Sequence, residues 1–163
     1  MDTVDRQTRS RIMASVGRKD TGPETLLRHA LHKAGLRYRL HDRTLPGSPD
    51  LVFPRFKAVV FVHGCYWHSH GCRRSTVPKS RHKFWQEKFS ANRARDERNV
   101  ALLRGHGSRV LTVWECALKG KTSEPVQNVV KAVKSWLHSS QTLGEIPRAS
   151  LIEASRSGRE VQP

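Results

Sequence analysis

Residues 58–72 read Ala58-Val59-Val60-Phe61-Val62-His63-Gly64-Cys65-Tyr66-Trp67-His68-Ser69-His70-Gly71-Cys72. The apolar run at 58–62 has the length and composition of a buried strand. The ten positions after it hold three histidines, two cysteines, a tyrosine and a tryptophan, so this cluster sits where a strand leaves the core. A second strand-like run, Val110-Leu111-Thr112-Val113-Trp114-Glu115, leads into Cys116, the remaining cysteine. Two strand ends that gather thiols and imidazoles suggest a metal site, because packing alone does not ask for these residue types.

Working outward, Asp50-Leu51-Val52-Phe53 reads as a short strand, and Pro54-Arg55-Phe56 reverses the chain into residues 57–62. These two runs should pair as a hairpin. Thr21 and Glu24 have the spacing of a capping box, with Pro23 near the first turn. Leu26, Leu27, Ala30, Leu31 and Ala34 follow at helical spacing, and Gly35 supplies a stop. Residues 36–41 alternate like a strand. Residues 80–104 read as one long helix carrying Trp85, Phe89, Val100, Leu102 and Leu103. A last helix starts near Pro125 and places Val126, Val129, Val130, Val133, Trp136 and Leu137 on one face. The order implies one α/β domain, a small mixed sheet flanked by helices. Its expected limits are 21–138, preceded by a basic arm at 1–20 and followed by a disordered tail at 139–163.

Thirty Lys and Arg against fourteen Asp and Glu give a net charge of +16 in 163 residues, which favours a polyanionic partner such as nucleic acid. Charge kept only for solubility is the plainer alternative. The basic residues are spread along the chain, which disfavours a membrane-surface helix, and no apolar run is long enough for a bilayer. The polar, acidic start does not resemble a secretory signal. Three cysteines cannot all pair, so a reducing compartment, the cytoplasm, is expected.

Cys65, His70, Cys72 and Cys116 make a candidate closed tetrahedral zinc site that braces the fold. His63 or His68 could take the place of His70, and spacing alone does not choose. The alternative is that Cys65 and Cys116 are small buried hydrophobes and Cys72 is exposed. Asp50, at a turn-to-strand junction, stands where nuclease carboxylates hold magnesium, although Pro-Asp is also an ordinary turn pair.

Taken together, several short stretches closely resemble the very short patch repair (Vsr) DNA mismatch endonucleases of bacteria. These are Thr8-Arg9-Ser10, Leu45-Pro46-Gly47 with Pro49-Asp50, His63-Gly64-Cys65-Tyr66-Trp67-His68, Phe84-Trp85 and Val113-Trp114-Glu115-Cys116-Ala117-Leu118. The resemblance spans about residues 5 to 120, in the same order and at similar spacing. It implies a restriction-endonuclease-like fold, a structural Zn2+ and a Mg2+-dependent nick 5′ to the thymine of a T·G mismatch arising from deaminated 5-methylcytosine. By position it implies Asp50 and His68 as catalytic groups, with His63 in support and Glu24 near the metal-bound water or acting only as a helix cap. Mg2+ would be held by Asp50 and the Val62 backbone carbonyl, and Zn2+ by Cys65, His70, Cys72 and Cys116. The family often has threonine at the position of Val62, a change that a carbonyl contact survives. No acid follows in residues 57–62, unlike the usual restriction-type motif, which fits a histidine taking part of that role.

The same resemblance makes Tyr66, Trp67 and Trp85 aromatic wedges in the DNA, with Met13 and Val16 of the arm gripping the opposite groove. A weakly stacked wobble pair is cheaper to wedge than a matched one. Burial of Trp67 and Trp85 in the core is the opposing expectation; Trp114 and Trp136 belong in the core on either view. The expected partner is double-stranded DNA with a T·G mismatch, met by a monomer in the bacterial nucleoid, with mismatch-repair proteins as candidate further partners. The rival readings are a non-catalytic, zinc-braced DNA-binding module and an endonuclease that cuts intact sites on both strands.

Overall fold

The computed structural model describes residues 5–15, 17, 19–120, 123 and 125–147. Five strands form one mixed sheet in the order β1 (Arg39–Leu40), β2 (Leu51–Phe53), β3 (Ala58–His63), β4 (Arg109–Trp114) and β5 (Leu143–Ile146). The expected hairpin is present: β2 and β3 are antiparallel, with Leu51 opposite Val60 and Phe53 opposite Ala58. Its reversal is a 3-10 turn at Pro54–Phe56, closed by Lys57 in the left-handed region. β3 and β4 are parallel, so the two strands with chemical residues at their ends finish side by side, His63 opposite Trp114.

Helices cover both faces, as the apolar patterning requires. Leu51, Phe53, Ala58, Val60, Leu111 and Val113 point to one layer, built from α2 (Gly22–Lys33), α4 (Glu115–Leu118) and α5 (Val126–His138). Val52, Val59, Phe61 and Val110 point to the other, where Leu103 of α3 (His82–Gly105) packs. The run at 58–61 is therefore apolar at every position because β3 is buried on both faces. This single sheet with helices on both faces is the restriction-endonuclease-like architecture that is expected. The basic arm forms α1 (Arg6–Ser15), tied to the segment before α3 by a bond from Arg9 Nη1 to Ser80 Oγ of 3.1 Å. Among the described residues, no helix is long and apolar enough to cross a membrane.

Four expectations are corrected. The capping box does not form: Thr21 is the N-cap of α2 but makes no side-chain cap bond, and Glu24 is buried. The strand expected at 36–41 shrinks to Arg39–Leu40, both exposed, on the edge of the sheet. Residues 143–146, expected in a disordered tail, form β5 against β4. The segment, Leu143-Gly144-Glu145-Ile146, has too few apolar residues to form a strand by itself, and its order comes from its backbone and neighbours. Arg109 donates to the carbonyls of Trp136, Leu137, Ser139 and Gln141, which fixes the approach to β5. Gly144 then lets the Trp136 indole lie across the strand, since a Cβ there would fall 2.5 Å from Nε1. Finally, Trp114 is only half-buried; its role is at the site.

Candidate active site and metal centre

Three chain segments meet at one rim of the sheet: the turn before β2, the end of β3 and the end of β4. Asp50 stands just before β2. Its Oδ2 accepts a 2.7 Å bond from the Val62 backbone N–H, so the hairpin register itself holds the carboxylate beside the end of β3. Burial pushes the Asp50 carboxyl up to about 6, with Glu24 adding to the rise; the Val62 N–H, His41 and His68 pull against it.

His63 and His68 stack face to face, ring centres 3.8 Å apart and planes within 2°. His68 Nδ1 makes a short bond to Asp96 Oδ2 of α3, leaving Nε2 as the free ring nitrogen. Burial would raise the Asp96 carboxyl, but the bond to His68 and the charges of His68, His63 and Arg95 hold it below the usual carboxylate range. His63 is pushed the other way: burial, with His68 beside it, holds its pKa down to about 3. Of the two stacked rings, His68 is the one bonded to Asp96, although that carboxylate also lies close enough to His63 to pull against its fall.

On the opposite side lies Glu24, 2% exposed. Its Oε1 is 3.3 Å from Arg28 Nη1 and 3.0 Å from His41 Nε2. The imidazole of His41 also places Nδ1 3.9 Å from Asp50 Oδ1.

The second cluster lies directly behind. Cys65, His70, Cys72 and Cys116 bring one ligand atom each to within 4.8 Å of one another, so the four residues can hold a metal ion. The thiols receive backbone donors: Cys116 N–H points at Cys65 Sγ at 3.3 Å and Arg74 N–H at Cys72 Sγ at 3.4 Å. Without a cation, the Cys116 thiol together with burial pushes Cys65 up to about 12. The loop is closed by Ser75, whose hydroxyl donates to the Cys65 carbonyl at 2.9 Å, and by the Arg74–Glu115 ion pair at 2.9 Å. Trp114 joins the two clusters. Its ring stacks on His70 at 4.0 Å and lies edge-on to His63 at 5.5 Å and His68 at 6.3 Å. Its indole N–H donates to Glu145 of β5 at 3.0 Å.

Tyr66 and Trp67 lie between Cys65 and His68, and both are half-buried. Asn92 of α3 donates to the Trp67 carbonyl at 2.9 Å, and Lys88 Nζ sits 5.5 Å from the Trp67 ring. Trp85 is 8% exposed, packed on Tyr66, Phe89 and Phe84. The surface position on this turn belongs instead to Phe84, 41% exposed and faced by Arg81 at 4.4 Å. Met13 is half-buried on α1, and Val16 lies outside the described residues.

All the residues expected at the chemical centre are thus gathered at one rim: Asp50, Val62, His63, His68 and Glu24 in front, the four cysteine and histidine residues able to hold a metal behind. The sequence reading passes over His41, Asp96 and Asp20. Asp96 sits in a helix rich in charges, where nothing in its spacing marks it out. His41 looks like the end of an edge strand.

Comparison with known proteins gives a consistent set of relatives. Residues 1–74 match the family described as DNA mismatch endonuclease Vsr. The type II nicking enzyme V.XorIIP of Xanthomonas oryzae pv. oryzae is 50% identical over 117 residues, covering 72% of this chain and 86% of that one. DNA mismatch endonuclease Vsr of Escherichia coli K12 is 40% identical over 136 residues, 83% of this chain and 87% of its own. The type II nicking enzyme V.NmeAIP of Neisseria meningitidis serogroup A is 40% identical over 135 residues, 82% and 96% of the two chains.

Proposed function

The chain belongs to the Vsr family of DNA mismatch endonucleases, and we propose that it nicks duplex DNA 5′ to the thymine of a T·G mismatch in a Mg2+-dependent reaction. As a member of that family it is a DNA endonuclease. The proposal adds the mismatch, the metal and the residues. The product would start very short patch repair of deaminated 5-methylcytosine, by a monomer acting at the chromosome in the cytoplasm.

Asp50 and the Val62 carbonyl would hold the Mg2+. When bound, that ion polarises the scissile phosphate and acidifies a water. The state of Asp50 supports this: a partly desolvated carboxylate whose charge is disfavoured where it stands is relieved by a divalent cation. His68 supplies the proton chemistry. With Nδ1 held by Asp96, Nε2 is free to accept a proton from the attacking water or to give one to the leaving oxygen. His63, held neutral beneath it, fixes the ring plane without competing for the proton. Glu24 supports the same centre from the other side.

Cys65, His70, Cys72 and Cys116 would hold Zn2+. Tetrahedral zinc, with bonds of about 2.3 Å to sulfur and about 2.0 Å to nitrogen, would set the two donors about 3.5 Å apart. The distance from Cys116 Sγ to His70 Nδ1 is 3.6 Å. A closed site leaves no place for water, so the ion braces and does no chemistry. What it braces matters: Tyr66, Trp67 and His68 lie inside the loop between ligands 65 and 70. The recognition aromatics and the general acid–base are carried on one clamped turn.

Tyr66 and Trp67 would wedge at the mismatch, backed by the buried Trp85, while the arm with Met13 and its arginines holds the backbone or the far groove. A non-catalytic binding module leaves the His68–Asp96 pair without a use, so that alternative is set aside. The observation that carries the reading is the meeting of Asp50 with the Asp96-oriented His68 at one sheet edge. The deciding assay presents T·G, T·A and C·G duplexes, labelled on either strand, with and without Mg2+. Nicking of the thymine strand of T·G alone, only with Mg2+, supports the reading; equal cutting of matched duplex or of both strands overturns it.

A further inference from the structure

Among the described residues, Glu24 is the buried charged side chain, and a desolvated carboxylate needs fixed compensation. Arg28 supplies only part of it, because its Nη1 is shared with Asp20 Oδ1 at 2.5 Å. The other close neighbour is the imidazole of His41, with Nε2 3.0 Å from Glu24 Oε1. Nε2 is buried and makes no hydrogen bond in this geometry, so this nitrogen is an unpartnered polar atom lying against the Glu24 carboxylate. The other ring nitrogen faces Asp50 Oδ1 at 3.9 Å. One imidazole therefore reaches both carboxylates of the centre, a nitrogen to each.

The backbone enforces this arrangement. His41 donates its N–H to the Asp50 carbonyl at 3.2 Å, which continues the β1–β2 ladder past its last residue. It then turns into the left-handed region, φ +47°, an unfavourable conformation for a residue with a Cβ. The turn aims the ring back over the carboxylates and away from solvent. Strain of that kind persists only where the surroundings hold it.

We infer that His41 is a positioning residue for the nicking centre, holding Glu24 and Asp50 so that both face one divalent cation and its water. The inference rests on the Mg2+-dependent reading above and extends it to a residue outside the motifs of the chain. Without the ring, Glu24 is left to Arg28 alone and is drawn toward α2, while Asp50 keeps only its bond to the Val62 N–H.

The test uses the full zinc-loaded chain with His41→Ala and His41→Gln. Three quantities are measured: Mn2+ affinity by electron paramagnetic resonance, single-turnover nicking of a T·G duplex across a Mg2+ series, and metal-free affinity for that duplex. For His41→Ala, Mn2+ affinity or the nicking rate should fall about 10- to 100-fold, as for other groups that orient metal ligands, while duplex affinity is retained. His41→Gln should recover most of the loss, because its amide N–H can reach Glu24 in the same way. Unchanged Mn2+ affinity and nicking in His41→Ala overturn the inference, as does an equal loss of nicking and duplex affinity in both variants. If the wild type binds Mn2+ more tightly than His41→Ala but nicks no T·G duplex, the positioning role stands and the mismatch reading is what fails.

Discussion

Replacing Asp50 with asparagine should make the Mg2+-free protein more stable while it abolishes nicking. Burial pushes this carboxyl from an ordinary 3.8 up to about 6. A rise of roughly two units is worth about 3 kcal/mol between the charged and neutral forms. Because the folded state holds the proton more tightly than the unfolded chain, this group's contribution is fully present below about pH 4 and is lost as pH rises through about 6. Above that, the wild type carries a disfavoured charge and the amide does not. Asparagine keeps an oxygen to accept the 2.7 Å bond from the Val62 N–H. Allowing for imperfect fit, a gain of about 1–2 kcal/mol is expected, or roughly 2–4 °C in melting temperature per kcal/mol. His63 works in the opposite sense: its pKa is held down to about 3, so its contribution is present above its unfolded value of 6.5 and is lost as pH falls toward 3. Wild type and variant share that term, so their difference isolates Asp50. Thermal unfolding of both proteins, zinc-loaded and without Mg2+, should show a gap near zero at about pH 4 that grows to a plateau above about pH 6. A variant no more stable above that range, or a gap that ignores pH, refutes the reasoning.

Two further variants probe the clamp and the wedge. Cys72→Ser should lose bound zinc, measured by atomic absorption, with a lower melting temperature and a nicking rate down by about tenfold or more, because the turn carrying His68 is no longer held. Retained nicking in a zinc-free protein would contradict that. Trp85→Ala should cost about 3–5 kcal/mol by urea unfolding, the penalty of emptying a buried site, whereas the exposed Phe84→Ala should stay within about 0.5 kcal/mol. Equal stabilities would place Trp85 outside the core. Discrimination between T·G and matched duplex, assayed below the melting point of each variant, then reports the wedge separately from the fold.

Local signals in this chain were reliable where one physical cause dominated. The unbroken apolar run of β3, the Pro54 reversal and the one-sided apolar face of α5 all appear as expected, since periodicity reports burial directly. The thiols were legible because three sulfurs and an imidazole have few other uses together. Glu24 shows where a local rule fails. Its spacing from Thr21 is that of a capping box, yet the side chain is buried beside Arg28 and the His41 ring, and Thr21 makes no side-chain cap bond. β5 fails for a related reason: four residues with only Leu143 and Ile146 apolar carry a weak local signal, and its order comes from β4, Arg109 and the Trp136 ring.

The chain by itself determined its class, its basic surface, which residues can ligate a soft metal, and the carboxylate and histidine able to serve a phosphodiester cut. Those properties reside in side-chain chemistry and short-range periodicity, which need no partner. Only the tertiary structure decided that Asp96 orients His68, that His41 spans Glu24 and Asp50, that Trp114 joins the cysteine–histidine cluster to the histidine pair, and that Trp85 lies beneath Phe84. The first three join residues well separated along the chain, and the last is a choice of which of two neighbours on α3 turns inward; sheet register and helix packing set all four, and no local pattern encodes them.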